Sequence, residues 1–256
     1  MAHLYYHEQL PQGVAVGDTV VVAGAEAHHA VNVSRLKSGE QVLLSDGRGL
    51  RAAVEIAVVC AGKTPEFSAV VRELEVLPQE LPQLVLVQAL AKGGRDERAV
   101  ELCTELGVDV IVPWQAARSV AVWQGAVKQE KGVQKWAKIA REAAKQALRP
   151  RYPEVTAPCT LRQLESWAGE SDTLLLVLHP WQQQRCTEIV REAVAAETAL
   201  KRIVVVVGPE GGLTAAEVAS LAAAGARVGL LGAEVLRTSS AGAAALAVVN
   251  TVLGRW

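Results

Sequence analysis

The 256-residue sequence lacks the features that mark secreted, metal-stabilised or membrane-embedded proteins. Its four cysteines, Cys60, Cys103, Cys159 and Cys186, form no CxxC pair, which argues against a disulfide scaffold or a zinc knuckle and favours a reducing cytoplasm. The N-terminal residues contain no apolar core of a signal peptide, and no apolar run approaches the roughly 18 residues of a membrane helix. We therefore expect a soluble, cytoplasmic protein.

Charge of one sign is also scarce, because the formal net charge is only −1. The chain as a whole therefore lacks the basic excess of a nucleic-acid-binding protein, and any such surface must be local. Hydrophobic residues make up 50% and charged residues 21% of the sequence, as in ordinary globular proteins. The length suits one large domain or two smaller ones, each with a core of its own.

The first 75 residues have the pattern of a β domain. Candidate strands rich in β-branched residues and alanine are Gln41–Ser45, Leu50–Val59 and Phe67–Val71. Asp46-Gly47 between the first two predicts a hairpin, because both residues tolerate positive φ. A helical period occurs only around Ala25–Lys37. The sequence predicts a small barrel-like domain over residues 1–75, followed by a linker between Arg72 and Leu84 that contains Pro78 and Pro82.

Residues 76–256 alternate between strand and helix patterns. The predicted strands are Leu84–Ala89, Val108–Val112, Thr173–Leu178, Ile203–Val207 and Arg227–Leu231. The predicted helices include Arg95–Leu106, closed by Gly107, and Lys128–Leu148, stopped by Pro150. This alternation indicates an α/β domain with a mostly parallel sheet covered on both faces.

A glycine-rich loop follows the continuous β-branched run Ile203–Val207. Gly208-Pro209-Glu210-Gly211-Gly212 comes next, and Thr214 and Glu217 then form the T-x-x-E capping box of a helix start. The glycines let the backbone approach a ligand closely, and the N–H groups of the helix start can bind it. The loop lacks the lysine of a P-loop and the spacing of a Rossmann turn. It is therefore either a site for another ligand or a tight turn without one.

A second loop of the same kind follows the predicted strand end at Val228–Leu231. It consists of residues 232–238 and leads into the predicted helix Ser239–Leu253, which Ser239 or Ser240 can cap. Small residues at 241–245 allow another backbone to lie very close to that helix. Two glycine loops at the carboxyl ends of strands indicate a cofactor crevice in an open α/β sheet.

The two loops together resemble a known signature. GPEGGLTAAE (208–217), followed by LG–x–x–VLRT–S–x–A (231–241), is similar to the C-terminal motif of SPOUT-class methyltransferases. Within that class it resembles the bacterial family that methylates N3 of a uridine in 16S ribosomal RNA. The resemblance implies an α/β trefoil-knot methyltransferase domain over residues 76–256, a smaller N-terminal PUA-like β-barrel that binds RNA, S-adenosyl-L-methionine as cofactor, and an active homodimer.

Shorter matches extend the resemblance over nearly the whole chain. They are His29–Arg35 and Asp46-Gly47 in the barrel, Ala89–Lys92 and Glu105–Val108 in the first βα unit, and Arg141–Arg149 in the middle segment. Two positions depart from the family pattern. Many members carry R-T-E-T-A where this chain has residues 237–241, RTSSA, so the acid is absent, and Ala233-Glu234 replaces a common Pro-Arg pair.

The resemblance also implies the cofactor-binding residues. They fall in three loops: Leu178, His179 and Pro180; then Val207, Gly208, Pro209, Glu210, Gly211 and Gly212; then Leu231, Gly232, Leu236, Arg237, Thr238, Ser240 and Ala241. Without the resemblance, His179-Pro180 is simply the end of a strand.

Basic residues concentrate in the middle segment, because residues 118–151 include nine lysines or arginines and only two acidic residues. At 100° per residue, Lys131, Lys135, Lys138, Arg141 and Lys145 form one stripe of a helix, with Trp136 and Ala140 opposite. This stripe is either a solvated face or an RNA-binding track, which Arg149, Arg118, Arg35 and Lys37 would extend.

Other candidate groups have less support. We expect Trp114, Trp123, Trp136, Trp167 and Trp181 to pack in the core rather than stack on bases, because apolar residues adjoin them. His28-His29 has no third ligand at a fitting spacing, so no metal site is predicted.

The expected chemistry requires removal of a proton from the imide nitrogen of uracil, or stabilisation of the resulting anion. Arg237 is the first candidate for positive charge beside the base, and Arg118 is the second, from the same chain or a partner subunit. Glu210 is either a proton acceptor or a residue that shapes its loop. The target base is expected to be flipped out before reaction.

Three competing functions remain open at this point. The first is a methyltransferase that acts on another RNA site. The second is a non-catalytic assembly factor that binds RNA with the same fold. The third is a nucleotide-binding α/β protein, but the absence of a P-loop lysine argues against it.

Overall fold

The computed structural model describes residues 3–11, 13–196 and 199–256, which form two compact units. The first comprises the described residues up to Gln79 together with Ala144–Tyr152. The second comprises Glu80–Ala143 and the described residues from Pro153 to Trp256. The predicted division at residue 75 thus differs from this grouping chiefly in the segment 144–152, which belongs with the N-terminal unit.

The first unit is built on a five-stranded sheet with the order β1-β3-β4-β5-β2. Its strands are β1 (Leu4–Tyr6), β2 (Thr19–Val22), β3 (Gln41–Ser45), β4 (Leu50–Cys60) and β5 (Glu66–Val76). The pairing is antiparallel except between β1 and β3. Alternate residues of β4 and β5, such as Val54, Ile56, Phe67 and Val71, are buried on one face, as a strand period of two requires.

Three local features of this unit differ from the sequence prediction. The β3–β4 hairpin has a four-residue loop, because the Asp46 carboxylate accepts hydrogen bonds from the N–H groups of Arg48 and Leu50 at 2.7 and 3.0 Å. The helical period at 25–37 becomes the short helix α1 (Gly24–His28) and a π-helical turn, His29–Val33. Strand β5 also continues to Val76, so the predicted linker begins later.

The segment 144–152 is fixed to the N-terminal sheet by buried polar contacts. The Tyr6 hydroxyl donates to the Arg149 carbonyl at 2.7 Å, and the Ser45 hydroxyl donates to the Pro150 carbonyl at 2.7 Å. Lys145 Nζ lies 2.8 Å from Glu26 Oε2, with both side chains almost completely buried. These contacts explain why this segment belongs to the first unit.

The second unit contains a six-stranded parallel sheet with the order β11-β9-β10-β6-β7-β8. Its strands are β6 (Gln83–Ala89), β7 (Val110–Trp114), β8 (Glu154–Val155), β9 (Thr173–Leu178), β10 (Arg202–Val207) and β11 (Arg227–Gly229). Separate apolar clusters cover the two faces, which is why β6, β9 and β10 are continuous hydrophobic runs.

Helices alternate with these strands. They are α2 (Arg95–Glu105), α3 (Ala126–Gln146), α4 (Leu161–Ala168), α5 (Cys186–Ala195), α6 (Ala215–Ala223) and α7 (Thr238–Val252). In α7, a Cβ on Gly242 would lie 2.8 Å from Leu86 Cδ1 and 3.0 Å from Cys103 Sγ. The small residues of this helix therefore allow close packing against the sheet and α2.

The order of the strands determines where the loops meet. Strands β9, β10 and β11 are neighbours and parallel, so the segments that follow them emerge at one edge of the sheet. This edge is where open α/β sheets bind ligands. Both glycine loops and the His179-Pro180 segment lie there.

Candidate active site

A cleft of about 770 Å³ opens at the carboxyl ends of β9, β10 and β11. Three loops form most of its wall: the segment beginning at Leu178, the glycine loop from Val207 to Leu213, and the segment from Leu231 to Thr238. Lys92, Arg95 and Arg118 approach from the ends of β6 and β7. The volume lies within the usual range of small-molecule sites, about 300–1,000 Å³.

The glycine loop is held in a defined shape by its own residues. Thr214 and Glu217 form the predicted capping box, in which Thr214 Oγ1 accepts from the N–H of Glu217 at 3.2 Å. Gly212 has φ of +68°, which favours glycine. A Cβ on Gly208 would lie 3.1 Å from the Leu213 side chain, so the backbone itself must form that part of the wall.

Thr238 links the two glycine loops. Its buried hydroxyl donates to the Gly208 carbonyl at 2.7 Å and accepts from Gln88 Nε2 at 2.9 Å. The end of β6, the glycine loop and the start of α7 are thereby joined through one side chain. A hydroxyl at this position fixes the spacing of the two cleft walls.

Glu217 and Arg118 attach the loop after β7 to the glycine loop. Glu217 is buried, and its carboxylate accepts from the N–H groups of Ala117 and Thr214, each at 2.8 Å. Burial acts to raise the pKa of Glu217, but these donors and nearby Arg118 outweigh it and lower the pKa. Arg118 Nη1 donates to the Gly211 carbonyl at 3.0 Å. Arg118 therefore lies in the cleft of its own chain.

Glu210 has two donors in the loop that follows β6. Its Oε1 accepts from the Lys92 N–H at 3.1 Å and from Arg95 Nη1 at 2.7 Å. Partial burial acts to raise the pKa of Glu210, but the backbone N–H groups and Arg95 outweigh it and lower the pKa. The carboxylate therefore stays ionised at neutral pH and connects the glycine loop to the start of α2.

Positive charge predominates among the described residues that line the cleft. The lining includes four basic side chains, those of Lys92, Arg95, Arg118 and Arg237, and two carboxylates, those of Glu210 and Glu234. The backbone of Arg237 caps α7, and its carbonyl accepts from the N–H groups at 240 and 241, while its side chain is exposed. A cleft of this kind favours an anionic or electron-rich group near Arg237 and Arg118.

All but one of the predicted cofactor-binding residues line this cleft. The exception is Ser240, whose hydroxyl donates to the Arg237 carbonyl within α7. The sequence did not predict Lys92, Arg95, Trp181, Leu213, Ala215, Glu234 and Val235, which also line it. The sequence pointed to Lys92, because this residue ends the motif Ala89–Lys92. Nothing in the sequence pointed to Arg95, whose contact with Glu210 is seen only in the structure.

The expectation that every tryptophan considered packs in the core is wrong for Trp181. This side chain is 77% exposed and lies at the cleft, because it belongs to the loop after β9 rather than to a strand or helix. Trp114 and Trp136 are buried, and Trp123 and Trp167 are half-buried.

The predicted basic stripe of α3 is shorter than expected. Lys131, Lys135 and Lys138 are exposed, and Lys135 Nζ lies 2.5 Å from Glu97 Oε1. Lys145 does not belong to an exposed stripe, because the end of α3 lies in the first unit and buries this lysine against Glu26. Helical periodicity could not reveal this neighbour.

The five other predicted RNA-binding residues vary in exposure. Arg118, already placed in the cleft, is exposed, as are Arg35 and Lys37, whereas Arg141 and Arg149 are half-buried. The Arg141 guanidinium lies 3.6 Å from Glu142, and the Arg149 carbonyl accepts from Tyr6. Of the predicted RNA-binding residues, Arg35, Lys37, Lys131, Lys135 and Lys138 are exposed outside the cleft, and Lys135 is the one of these that pairs with Glu97.

Within the described ranges, no group of three or more His, Cys, Asp and Glu side chains is arranged to hold a metal ion. His28 and His29 lie where α1 passes into the π-helical turn. Of the helices in the same ranges, none has the length and apolarity needed to cross a bilayer.

Comparison with known proteins bears on both units. Residues 79–250 match the family model of the RNA methyltransferase domain, and residues 22–64 match that of the RNA methyltransferase PUA domain. A curated protein of Mycobacterium bovis, named ribosomal RNA small subunit methyltransferase E, is 39% identical over 259 residues, covering 100% of this chain and 94% of its own length. The Bacillus subtilis protein of the same name is 32% identical, with coverage of 96% and 95%.

A solved structure agrees with this fold over the full chain. The crystal structure of ribosomal RNA small subunit methyltransferase E from Neisseria gonorrhoeae, bound to S-adenosyl methionine, has a TM-score of 0.81 and 26% identity and covers 98% of each chain. The predicted fold class, an N-terminal PUA domain followed by an α/β methyltransferase domain, is confirmed. The trefoil knot stays a prediction of the resemblance.

Proposed function

The chain belongs to the ribosomal RNA small subunit methyltransferase E family, and we propose that it methylates N3 of one uridine in 16S ribosomal RNA. Membership makes it an S-adenosylmethionine-dependent methyltransferase of ribosomal RNA. The choice of N3 and of uridine rests on the sequence resemblance. The observation that supports the proposal most directly is the cleft itself, where a backbone-lined glycine wall faces an excess of basic side chains.

The residues of the cleft fit S-adenosylmethionine. A Cβ on Gly208 would lie 3.1 Å from the Leu213 side chain and one on Gly211 would lie 3.2 Å from the Cβ of Arg118, so a side chain at either position would press on its neighbour. Leu178, Val207 and Leu231 add apolar surface for an adenine ring. When bound there, the cofactor supplies an electrophilic methyl group.

Arg237 and Arg118 are proposed to stabilise the negative charge that uracil acquires at N3 and its neighbouring carbonyl oxygens. An imide nitrogen becomes nucleophilic only as its proton leaves, so cations near the ring lower the barrier. Arg118 is held against the Gly211 carbonyl, and Arg237 projects from the start of α7. The Gly211 carbonyl thus holds the charge of Arg118, and the helix cap holds the backbone of Arg237.

The remaining assignments extend this proposal. Residues 1–75 are proposed to hold the RNA as a PUA-like domain, and residues 76–256 to perform the chemistry and to form a homodimer. Lys131 and Lys138 are proposed to contact phosphates, since both are exposed and neither has an ion-pair partner among the residues described. Arg35 and Lys37 are assigned the same role in the first unit, and the enzyme is proposed to act in the cytoplasm.

The test combines cofactor binding with mapping of the product. Calorimetry with S-adenosylmethionine should show binding to the isolated protein, and absence of binding would favour an assembly factor instead. Mass mapping of uridines in 16S ribosomal RNA, from cells with and without the gene, should reveal one N3-methyluridine that depends on the gene. A different modified atom or RNA would overturn the specific assignment.

A further inference from the structure

A second cavity, of about 350 Å³, lies in the same unit beside the loop that carries Arg118. The residues that line it include Trp114, Trp123, Gln115, Gln129 and Thr160. Gln115, Gln129 and Thr160 are exposed, whereas Trp114 is buried. We refer to this site as the tryptophan cavity.

Trp123 is placed in this wall by a glycine in the middle of α3. A Cβ on Gly132 would lie 2.5 Å from the Trp123 ring, so only glycine lets the indole lie flat on the helix. The ring also makes an edge-to-face contact with Trp136, with centroids 5.2 Å apart. A mid-helix glycine costs about 1 kcal/mol of helix propensity. Gly132 therefore lowers the intrinsic stability of α3, but it leaves the space in which the Trp123 ring packs.

The chemistry of the cavity suits a nucleobase better than a phosphate. The half-buried indole of Trp123 offers a flat apolar surface, and the exposed glutamines Gln115 and Gln129 offer both donors and acceptors. Burial raises the pKa of the Cys159 thiol to about 12, so that part of the wall is neutral. Glu217, also in the wall, is ionised and would repel a phosphate.

The tryptophan cavity and the cofactor cleft share one loop. Gln115 faces the cavity and Arg118 faces the cleft, three residues further along the chain. Three residues span at most about 11 Å, so the two sites are close enough for one strand of RNA to enter both. Lys128, which precedes Gln129 on α3, is exposed and adds a positive charge to the same turn of this helix.

We propose that the tryptophan cavity binds a base of the substrate RNA that neighbours the methylated uridine, stacked against Trp123 and hydrogen-bonded by Gln115 or Gln129. The inference rests on the proposed function, because it requires that RNA reaches the cofactor cleft. Such a subsite selects the RNA by an unpaired base beside the target, while phosphate contacts supply orientation.

The first experiment measures methyl transfer to a 16S ribosomal RNA transcript. Trp123→Ala should raise the KM for RNA by about tenfold or more, as expected for loss of base stacking, and Trp123→Phe should restore most of it. Gln129→Ala should raise the same KM by a smaller factor. The kcat at saturating RNA and the Kd for S-adenosylmethionine should stay unchanged, since the cavity contacts neither the methyl donor nor the reacting atom.

Gln124→Ala is the matched control, since Gln124 is an exposed glutamine close in sequence that does not line the cavity. Unchanged KM in both Trp123→Ala and Gln129→Ala, or an equal rise in the Gln124 control, overturns the inference. So does a change in sedimentation mass without a change in KM, which would assign the cavity to a second copy of the chain. If wild-type protein methylates no 16S uridine, the proposed function fails instead.

A second measurement covers the case in which Trp123→Ala fails to fold. The wild-type protein is irradiated with a 16S transcript that carries 4-thiouridine, and the crosslinked peptides are identified by mass spectrometry. The expected peptides contain Trp123, Gln129 or Gln115. Crosslinks confined to other parts of the chain would contradict the proposed subsite.

Discussion

Replacing Glu210 by glutamine distinguishes a proton acceptor from a residue that orders its loop. In the structure, Glu210 Oε1 accepts from both the Lys92 N–H and the Arg95 guanidinium. Glutamine keeps an oxygen that can accept these hydrogen bonds but loses the charge and the ability to take a proton at neutral pH. We expect the variant to remain active.

The expected loss follows from the exposure of the two partners. The Arg95 and Glu210 side chains are 41% and 25% exposed, so their ion pair contributes at most about 1 kcal/mol. The hydrogen bond from the Lys92 N–H contributes about 1 kcal/mol more. If both interactions were lost completely, and if they stabilised only the transition state, the reaction would slow about thirtyfold. Since glutamine retains an acceptor, we expect less than about a tenfold fall, whereas loss of a general base costs about 10²–10⁴-fold.

The pH dependence provides an independent check on Glu210. Its pKa is lowered in the folded protein, so its contribution to stability is present above the unfolded value and is lost as pH falls through the folded value. Wild type and Glu210→Gln should therefore differ slightly in stability at neutral pH and converge in acid. Their rates of methyl transfer should share one pH profile from neutral pH upward.

Single-turnover methyl transfer at saturating RNA and cofactor is the appropriate assay, with calorimetry for the Kd of S-adenosylmethionine. Glu234→Gln is the matched control, because Glu234 is the other described acid that lines the cleft. A fall of a hundredfold or more in Glu210→Gln, with unchanged Kd values, would refute the loop-ordering role and assign proton transfer to this carboxylate.

Three further substitutions test other parts of the account. Arg237→Ala should slow methyl transfer about 10²–10³-fold with an unchanged circular dichroism spectrum, because one preorganised cation is lost from the transition state. Lys131→Ala with Lys138→Ala should weaken RNA binding and reduce the slope of log K against log salt by about 1.4–1.8, as for two phosphate contacts. Gly132→Ala should destabilise the protein by about 1–3 kcal/mol in urea unfolding, because the new methyl group overlaps Trp123.

Each of these substitutions has a control or a contradicting result. Arg191→Ala, at an exposed arginine of α5 outside the cleft, should leave methyl transfer unchanged, and equal rates in the Arg237 variant would remove Arg237 from the mechanism. Lys201→Ala removes a lysine already paired with Asp172, so it should leave the salt slope as in wild type. Helix propensity alone predicts that Gly132→Ala stabilises the protein by about 1 kcal/mol. Such a stabilisation would contradict the close packing of Trp123 on Gly132.

Much of the fold followed from the sequence because its strands are buried on both faces. Thr173–Leu178 was predicted with the bounds that the structure has, and the run ending at Val207 missed only Arg202. Continuous apolar runs have few alternative explanations in a chain that also shows helical periods between them. The capping box at Thr214 and Glu217 likewise depends only on residues three apart, so it was visible without the structure.

Features set by distant neighbours could not be predicted in this way. Lys145 has the same helical phase as exposed lysines, but the end of α3 leaves the second unit and places this side chain against Glu26. Trp181 resembles a core residue by its sequence neighbours but lies in a loop at the cleft. Both errors arise because periodicity describes one element, whereas burial depends on what packs against it.

The structure shows where the acidic residue that is absent from RTSSA (237–241) would lie in α7. Ser239, which stands where many related sequences have glutamate, is half-buried in the first turn of α7 and does not line the cleft. An acid there would favour the helix start through the macrodipole, by about 0.3–1 kcal/mol, without facing the substrate. In this structure an acid at position 239 would lie at the start of α7 rather than in the wall of the cleft. Among the described residues, Glu210 and Glu234 are the carboxylates that line the cleft, and Glu210 already accepts from two donors, which is consistent with the proposed charge stabilisation by Arg237 and Arg118.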